Sequence, residues 1–531
     1  MKTIKKLQLA AAITASMTLV GCGSDSDDAA SLTKVFDCTP VDTAGSRTIC
    51  IGSADDLSDT KVQTDLLTAV VAPQTGDTIV MPQGRYNIDT EITFNGIAGT
   101  TGLTFIGAGM DKTILDFSTS TEDGFHITNT EDVTLEKFGV YESANNAIKL
   151  VDVDGIIIRE VATVWETDYQ ASNGAYGIYP VLTENVLIED CYVKGSADAG
   201  VYVGQSKDII VRGCTAEKNV AGIEIENSIN ADVYNNTATG NTGGILVFDL
   251  PIAQNTRYSK NIRVFNNTVT SNNAPNFASS GSNPAGVHIV PPGTGIILLA
   301  TEDVEVFNNT ITDNESMAIA ISSFLLPDDD VATYGDRYGA ILMSGWLPLT
   351  RTINIHDNTI SQATYNPQGD LIKDVIIGYA TSTQAPIPDV FSDGIGELLA
   401  NAGALMPLAE GLGLALAQAT EGAYNGDPLP GYSPYVYTNA DGNPSDAICV
   451  SNNGDATMGT VSRTTVTADA FDADSNPVFH LTADTPDVFA CGGDTGRDVP
   501  PAPAKSVVTV GDQSFSCGVD DAATAPDVCA I

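Results

Sequence analysis

A repeat of about 22 residues organises the middle of the 531-residue chain. Each repeat has a small residue, an alternating apolar stretch, a polar turn and a second alternating stretch. The small residue stands at Gly124, Ala147, Gly177, Gly200, Gly222, Gly244, Gly295 and Ala318, with spacings of 23, 30, 23, 22, 22, 51 and 23 residues. A repeat of this length cannot bury its inner face alone, so neighbouring repeats must stack into one core. The sequence therefore predicts a solenoid.

Short β-strands build the repeat. Segments such as Ile262–Phe265 and Val304–Phe307 alternate over four residues and are too short for a helix. Three such strands with their turns fill one coil of a parallel β-helix. The bend after the second strand carries Asn236, Asn267, Asn309 and Asn358, with Cys191 and Cys214 at the equivalent places in earlier coils. Asparagine tolerates a tight bend, and its amide can bond to the next amide about 4.8 Å along the stack.

Several segments carry a resemblance to known proteins. Gly76–Tyr86 and Leu103–Gly109 resemble the opening coils of the pectin-lyase-like superfamily of right-handed, single-stranded parallel β-helices. A closer resemblance, to bacterial secreted or lipoprotein β-helix proteins, is carried by Asn173–Val181, Asp198–Ser206, Val220–Ser228, Gly243–Pro251 and Ile448–Asp455. That family has no established activity. The resemblance therefore implies an all-β solenoid and leaves its chemistry open.

Five parts are expected along the chain. They are a lipoprotein signal peptide (1–22), an acidic leash with a small cysteine loop (23–55), the β-helix with long insertions (56–372), a helical or irregular insertion (373–445) and a C-terminal region with disulfides (446–531). Val62–Val71 has apolar residues at helical spacing and is expected to cap the open end of the stack. Leu398–Ala417 contains Pro407 and Glu410, so we interpret it as a docked helical insertion rather than a membrane span.

The N-terminus predicts export. Lys2, Lys5 and Lys6 precede the apolar run Leu7–Val20, which ends in Gly21 and Cys22. A cysteine directly after a small residue at the end of such a run is typical of a bacterial lipoprotein, with Cys22 as the lipidated residue. Lipidation would tether the protein to a membrane. The glycine after Cys22 favours the outer membrane, on its periplasmic or its surface side.

The other eight cysteines suit an oxidising compartment. Sequence proximity suggests the disulfides Cys38–Cys50, Cys449–Cys491 and Cys517–Cys529. Cys191 and Cys214 share one ladder position in adjacent coils, and we expect them to stack as buried thiols, with a disulfide as the alternative. Because the chain has no Cys-x-x-Cys spacing, a cysteine zinc site or a redox dithiol has little support.

The charge of the chain limits its partners. Asp and Glu number 67 against 24 Lys and Arg, a formal net charge of −43. This excess repels nucleic acid, anionic lipid headgroups and polyuronates unless divalent cations intervene. Solubility in a saline habitat is a simpler explanation of the excess. Calcium remains open as a cofactor because the acidic runs that begin at Asp328, Asp441 and Asp472 have suitable ligand types, although neither of the last two is an EF-hand loop.

Unequal insertions point to a groove over one sheet. We call the strand that begins at the small residue of each repeat the Gly-led strand. The long segments Val164–Tyr176 and Ser271–Thr294 precede this strand, and Pro251–Lys260 and Ser323–Thr350 follow it. All four flank the same strand, which predicts a groove whose floor is the outer face of the Gly-led sheet. The alternative is that the insertions merely shield that face.

Alternate residues of the Gly-led strand point outward, so the floor can be written down. The first outward column is His126, Lys149, Tyr179, Tyr202, Glu224, Leu246 and Ile297. The second column is Thr128, Val151, Val181, Gly204, Glu226, Phe248 and Leu299. The 30-residue spacing makes the pairing of Lys149 with Tyr179 the step that most needs a structure.

Three functions compete for this floor, all directed at a polysaccharide. A uronate lyase or epimerase would use Lys149 or His126 to neutralise a carboxylate and Tyr179 or Tyr202 as base or acid. The clustered Asp with a catalytic Arg of calcium-dependent lyases is absent from the strand, as is the Asp-Pro-His-Glu run that mannuronan epimerases carry.

The second reading is a glycan-binding module. Its tyrosines and Phe248 would stack on sugar faces, and Glu224, Glu226 and Asp249 would accept hydroxyl protons. The third is a glycosidase that uses Glu224 and Glu226, which lie within about 7 Å of each other on one strand. A non-enzymatic scaffold with a protein partner in the cell envelope is the alternative to all three.

Overall fold

The computed structural model describes residues 32–43, 46–96, 100–252, 258–279, 286–328, 334–344, 346–369, 386–394, 447–461, 481–482, 491 and 499–517. Within them, strands numbered in chain order form three parallel sheets that wind around one core. The coils are right-handed, the hand that nearly all parallel crossover connections take. The predicted right-handed parallel β-helix is thereby confirmed.

The Gly-led sheet begins each coil. It contains β5 (Ile92–Asn95), the first parts of β8 (Phe125–Tyr141) and β9 (Ile148–Val164), β10 (Tyr176–Val181), β13 (Ala199–Gly204), β16 (Ala221–Glu226), β19 (Gly243–Phe248), β22 (Thr294–Leu299), β25 (Met317–Ser322), β28 (Val390–Ser392) and β30 (Met458–Val461). The two long strands β8 and β9 pass through all three sheets, and each makes a whole coil.

The second sheet of each coil precedes the bend that carries the asparagine row, and we call it the ladder sheet. It contains β2 (Ser46–Cys50), β3 (Thr78–Val80), β6 (Thr104–Ile106), the middle of β8 and β9, β11 (Glu184–Glu189), β14 (Lys207–Arg212), β17 (Ile229–Tyr234), β20 (Lys260–Phe265), β23 (Glu302–Phe307), β26 (Arg351–His356) and β29 (Ile448–Ser451). Strands β28, β29 and β30 continue the stack beyond residue 372, where we expected it to end.

The short-strand sheet closes each coil. It contains β4 (Gly84–Asn87), β7 (Thr113–Asp116), the ends of β8 and β9, β12 (Tyr192–Lys194), β15 (Thr215–Glu217), β18 (Thr237–Thr239), β21 (Thr268–Thr270), β24 (Thr310–Thr312) and β27 (Thr359–Ser361). The remaining elements are β1 (Val41–Thr43), β31 (Leu481–Thr482), the hairpin β32 (Val507–Val510) and β33 (Gln513–Ser516), the helices α1 (Asp59–Val71) and α2 (Tyr334–Met343), and a 3₁₀ turn at Val287–Ile289.

Helix α1 caps the N-terminal end of the stack, as predicted. It begins after Ser58, whose side chain accepts a hydrogen bond from the Lys61 amide. Val62 and Leu66 on its inner face are fully buried in the same core as the strands. Of the helices that the structure describes, none has the length and apolar content needed to cross a membrane.

The predicted asparagine ladder is present. Asn267 donates from its amide nitrogen to Asn309 Oδ1 at 3.0 Å, and Asn309 donates to Asn358 Oδ1 at 2.9 Å. Each side chain also bonds a buried backbone carbonyl, so the whole row is satisfied inside the stack. The sequence reading missed a second ladder at the next bend, formed by Asn219, Asn241, Asn272 and Asn314.

The disulfides agree with the sequence except at one pair. Cys38–Cys50 and Cys449–Cys491 are bonded as predicted. Cys191 and Cys214 are also bonded, so our preference for stacked thiols was wrong. Adjacent coils bring their Cα atoms to 4.4 Å, within the range that a disulfide spans. The predicted Cys517–Cys529 pair includes a residue outside the described ranges.

The hairpin β32–β33 returns to the outer face of the ladder sheet. Val508, Val510 and Phe515 pack there against an apolar row that includes Ile210 and Leu187. Backbone amides of Ser506, Thr509 and Gly511 are bound by side chains of Asp232, Asn185 and Asp132, which lie in different coils. The C-terminal hairpin thus runs across the coils rather than along one of them.

Candidate functional site

The outward columns of the Gly-led sheet have the predicted register. Lys149 lies between His126 and Tyr179, and Tyr202 lies beside Glu224. In the second column Glu226 lies between Gly204 and Phe248, which is followed by Leu299. The uncertain pairing of Lys149 with Tyr179 is therefore confirmed. Neighbours in a column stand about 4.8 Å apart, so the face is a regular array on a rigid sheet.

Most of this face is covered, which corrects the prediction of an open groove. From Tyr202 to Phe391 the outward side chains pack under residues of the insertions, and together they form a second apolar core. We call this stretch the roofed part. Tyr202 is 5% exposed, Glu224 3% and Phe248 2%. The insertions supply large apolar side chains, and burying them against the apolar outward residues is favourable.

The roof over this part consists of Val290, Phe324, Tyr334, Leu342 and Trp346. Trp346 is fully buried, meets Phe324 edge to face at 5.3 Å, and donates from Nε1 to the Asp249 carbonyl at 3.1 Å. The hydrogen bond fastens the insertion after β25 to the end of β19. Beneath the roof, Phe248, Ile297 and Leu299 line a small apolar pocket.

The insertions on each side of the face also hold one another. Tyr169 meets Phe277 edge to face at 5.7 Å, which joins the insertion before β10 to the one before β22. On the other side the hydroxyls of Tyr258 and Ser344 are hydrogen-bonded. On each side of the face, the insertions therefore contact one another instead of forming separate loops.

Only the N-terminal end of the face is open. We call His126, Thr128, Lys149, Val151 and Tyr179, all half-buried, the open part. The Tyr179 ring stacks on half-buried Tyr176 with centroids 4.3 Å apart. Lys149 Nζ stands 5.8 Å from the centre of the Tyr179 ring, within cation–π range. Here a flat aromatic surface and a cation are accessible together.

A buried acid cluster lies where the open part meets the roofed part. Its carboxyl groups are Asp198, Glu224 and Glu226. Tyr202 donates to Glu226 Oε1 at 2.9 Å, and burial together with the charge of Glu226 raises the pKa of Glu224. Glu224 Oε2 is buried with no donor among the described residues. The arrangement fits a pair that holds a proton, because two adjacent buried carboxylates would repel each other.

Burial sets the pKa values in this cluster. Desolvation raises the pKa of Glu226 to about 7 and that of Asp198 to about 7, and it raises the pKa of Glu224 well above its ordinary value. For the same reason the pKa of Tyr179 rises to about 12 and that of Tyr202 rises well above 10. Both tyrosines therefore keep their protons at neutral pH.

These findings bear on the predicted chemistry. A glycosidase needs its two carboxyl groups on either side of the scissile bond, roughly 5–9.5 Å apart, whereas Glu224 and Glu226 are both buried under the roof. Tyr202 is buried and protonated, so it is poorly placed to act as a base. Asp249 accepts a hydrogen bond from Asn227 Nδ2 at 2.7 Å and is buried, as is Phe248. Among the predicted residues, the open part contains Lys149, Tyr179 and His126.

A group of metal-binding residue types lies beside His126. One ligand atom each of Glu91, Asp123 and His126 lie within 4.8 Å of one another. Of the acidic runs considered for calcium, that of Asp328 is occupied otherwise, because Arg337 and Tyr338 bind its carboxylate. The runs at Asp441 and Asp472 lie outside the described ranges.

Several of these residues were not predicted from the sequence. Asp123 comes one residue before Gly124, and Asp198 comes two residues before Gly200, which are small residues of the repeat. Glu91 comes directly before β5. Tyr176 lies at the start of β10, next to a reference glycine. Recording what precedes each reference small residue would have found three of the four.

Comparison with known proteins places the fold. Residues 123–290 match the family model described as the right handed beta helix region. No curated protein sequence matches the chain. Among solved structures, the chain is similar to the A-module of the mannuronan C-5 epimerase AlgE4 of Azotobacter vinelandii, with 15% identity, 65% of this chain and 88% of that chain covered, and a TM-score of 0.36.

Two further structures are similar to it. One is the catalytic unit of an α-1,3-glucanase of Streptomyces thermodiastaticus, with 16% identity, 68% and 52% of the two chains covered, and a TM-score of 0.37. The other is an alginate lyase of a Paenibacillus species, with 13% identity, 60% and 99% covered, and a TM-score of 0.35. None of these similarities assigns an activity to this chain.

Proposed function

We propose that the protein is an exported, membrane-anchored β-helix that binds a polysaccharide on the open part of its Gly-led sheet. The observation that carries the proposal is the half-buried, stacked pair Tyr176 and Tyr179 beside Lys149. Aromatic rings held on a rigid sheet suit the apolar faces of sugar rings, and a flanking cation and acids suit their hydroxyl and carboxylate groups. The rest of the face is covered by the roof.

Binding is favoured over catalysis at this surface. Tyr179 has a pKa raised to about 12 by burial, so its hydroxyl is a hydrogen-bond donor at neutral pH rather than a base. The carboxyl pair Glu224 and Glu226 is buried under the roof, so it is not exposed to a ligand on the open rings. A lyase or epimerase reaction would have to use Lys149 or His126 to move the proton, which the product assays below can detect.

A glycan array tests the proposal with full-length protein in detergent. We expect wild type to bind at least one polysaccharide. Tyr179→Ala should weaken that binding by about fivefold or more, because the stacking surface is lost. Tyr202→Phe is the matched control: its ring is buried, so affinity should change less than twofold. If no glycan binds, or if both variants bind as wild type does, the open part is not a glycan site and a scaffold role stands.

Product assays on the bound glycan separate binding from turnover. Ultraviolet absorbance reports unsaturated products of a lyase, and reducing ends report hydrolysis. For a binding module we expect neither signal, with or without calcium. Product formation that disappears in Lys149→Ala while affinity is kept would instead establish an enzyme.

The anchor is the second element of the proposal. It is supported by the basic and apolar leader that ends at Cys22, in a segment outside the described ranges, and by three disulfides, which suit an oxidising compartment. Cys22→Ser should abolish labelling with fatty acid and release the protein from the outer-membrane fraction. Cys38→Ser, which removes a disulfide cysteine, is the control and should still be labelled. Unchanged labelling of Cys22→Ser would disprove lipidation there.

A further inference from the structure

We propose that Glu91, Asp123 and His126 form a binding site for a divalent metal ion, suited to Zn²⁺, at the N-terminal end of the open part. Two segments of the chain supply the ligands: Glu91 comes directly before β5, and Asp123 and His126 lie at the turn into β8 and at its first outward position. The turn of the β-helix brings them together, with one ligand atom each within 4.8 Å of the others.

The distances suit a small ion. His126 Nδ1 and Glu91 Oε1 lie 3.4 Å apart. Two ligands of a tetrahedral ion with bonds of about 2.0–2.1 Å stand about 3.3 Å apart, so this pair already has the required separation. The side chains of Glu91 and His126 are 20% and 28% exposed, which leaves both room to move toward Asp123 and gives an ion access from solvent.

Neighbouring groups hold each carboxylate by one oxygen. Thr93 Oγ1 donates to Glu91 Oε2 at 2.5 Å, which leaves Oε1 facing His126. Asn146 donates to Asp123 Oδ1 from its backbone and its side chain, both at 2.9 Å. Asp123 is more than nine-tenths buried, and both of these hydrogen bonds are accepted by its Oδ1 atom. Carboxylates that ligate metals are usually oriented by such outer hydrogen bonds.

The ligand types select the ion. Calcium and magnesium prefer oxygen ligands alone, whereas an imidazole nitrogen with carboxylates suits zinc and its transition-metal neighbours. Three protein ligands leave one position of a tetrahedral ion for water or for a ligand. In a chain with a net charge of −43, the ion would add positive charge two strands away from Tyr179.

That charge has a consequence for the ligand, which rests on the proposed function. An acidic protein repels a polyuronate unless cations intervene. The bound ion would balance the charges of Glu91 and Asp123, and its open coordination position could take a sugar carboxylate next to Lys149. The polysaccharide preferred by the loaded protein is therefore one whose sugars carry carboxylates.

Calorimetry with Zn²⁺ alone tests the metal site on chelator-treated, full-length protein. We expect one site whose affinity falls at least about tenfold in His126→Gln and in Asp123→Asn. The matched control is His288→Gln, which removes a histidine from the 3₁₀ turn and should leave the affinity unchanged. Thr93→Val, which only frees Glu91 Oε2, should cost roughly tenfold. Circular dichroism verifies that each variant keeps its strands.

Three results would overturn the metal site: no Zn²⁺ binding by wild type, equal binding by wild type and His126→Gln, or Ca²⁺ binding that His126→Gln leaves intact while Zn²⁺ does not bind. The glycan arm is separate. A uronate oligosaccharide should bind at least about fivefold tighter with Zn²⁺ present, and a neutral oligosaccharide should not. Zn²⁺ binding without this gain refutes the ligand preference alone, and loss of all glycan binding refutes the proposed function alone.

Discussion

The open part and the roofed part of the Gly-led sheet are built from the same kind of strand in one continuous register, yet they end in different environments. Lys149 and Tyr179 are half-buried, whereas Glu224 and Phe248, two and three strands beyond Tyr179, are almost fully buried. The strands do not cause this difference. It comes from the insertions, whose apolar side chains close over one stretch and not the other. Strand pattern thus predicts direction, and only the insertions decide exposure.

The two parts also differ on the inside. The coils of Glu224 and the residues beyond it contain the asparagine ladder that starts at Asn236. The coils of Tyr179 and Tyr202 have the Cys191–Cys214 disulfide at the same position. The backbone N–H of Cys214 donates a hydrogen bond to Asn236 Oδ1. A covalent bond therefore joins the last open coil to the first roofed coil, and hydrogen bonds join the roofed coils beyond it.

Breaking the ladder should give the largest effect. Asn309→Leu removes the Oδ1 atom that accepts from both the side-chain and the backbone amide of Asn267, at a cost of about 1–3 kcal/mol for each buried group. We expect a loss of several kcal/mol in the free energy of unfolding, measured with denaturant. Thr310→Leu at the adjacent, exposed position is a control for the added side chain. Full stability of Asn309→Leu would show that the ladder does not hold these coils.

Opening the roof should cost somewhat less. Trp346→Ala removes a fully buried indole and its hydrogen bond to Asp249, with an expected loss of about 3–5 kcal/mol. Exchange of backbone amides should rise in β19 and β22 and stay unchanged in β9. Equal protection in wild type and variant would mean that the insertions lie beside the face without stabilising it.

The acid cluster at the boundary predicts a dependence on pH. Glu226 ionises near its ordinary value when unfolded, but its pKa is about 7 in the folded protein because it is buried. Between about pH 5 and 7 the folded state holds more protons, so stability should fall as pH rises, by about 2–3 kcal/mol for this group. Glu226→Gln should flatten that slope, and exposed Glu131→Gln should not. An unchanged slope in Glu226→Gln would contradict the assignment.

The open part should be nearly neutral for stability. Lys149→Ala removes a half-buried side chain whose described contact is the Tyr179 ring, so the free energy of unfolding should change by less than about 0.5 kcal/mol. The same denaturant titration as for Trp346→Ala measures it. A loss above 1 kcal/mol would mean that the open part is core like the roofed part.

Most of the fold could be predicted from the sequence because it follows from a short repeat. The small residue before each Gly-led strand, the alternation within strands and the asparagine at one bend each report on a single coil, and stacking follows from them. The second ladder at Asn241 and Asn272 was missed because its residues lie outside the strand pattern used for alignment. The Cys191–Cys214 bond was misjudged, because position in a coil fixes proximity but not oxidation.

The site was readable only in part. The column from His126 to Ile297 follows from periodicity and was right in every pairing. Exposure was not, because it depends on how Trp346 and Phe324, far along the chain, fold back over the sheet. The group of Glu91, Asp123 and His126 depends on contacts between coils at their turns, where strand periodicity gives no information.

The hairpin β32–β33 changes how such a stack can come apart. A solenoid held only by neighbour-to-neighbour contacts can fray from an end one coil at a time. Here three backbone amides within the six residues from Ser506 to Gly511 are hydrogen-bonded to Asp232, Asn185 and Asp132, each in a different coil. The segment links those coils to one another, so unfolding of one coil breaks hydrogen bonds that also hold the others. The surface that carries Tyr179 and Lys149 therefore belongs to a set of coils that unfold cooperatively. A ligand binds there to a rigid surface that does not unfold locally.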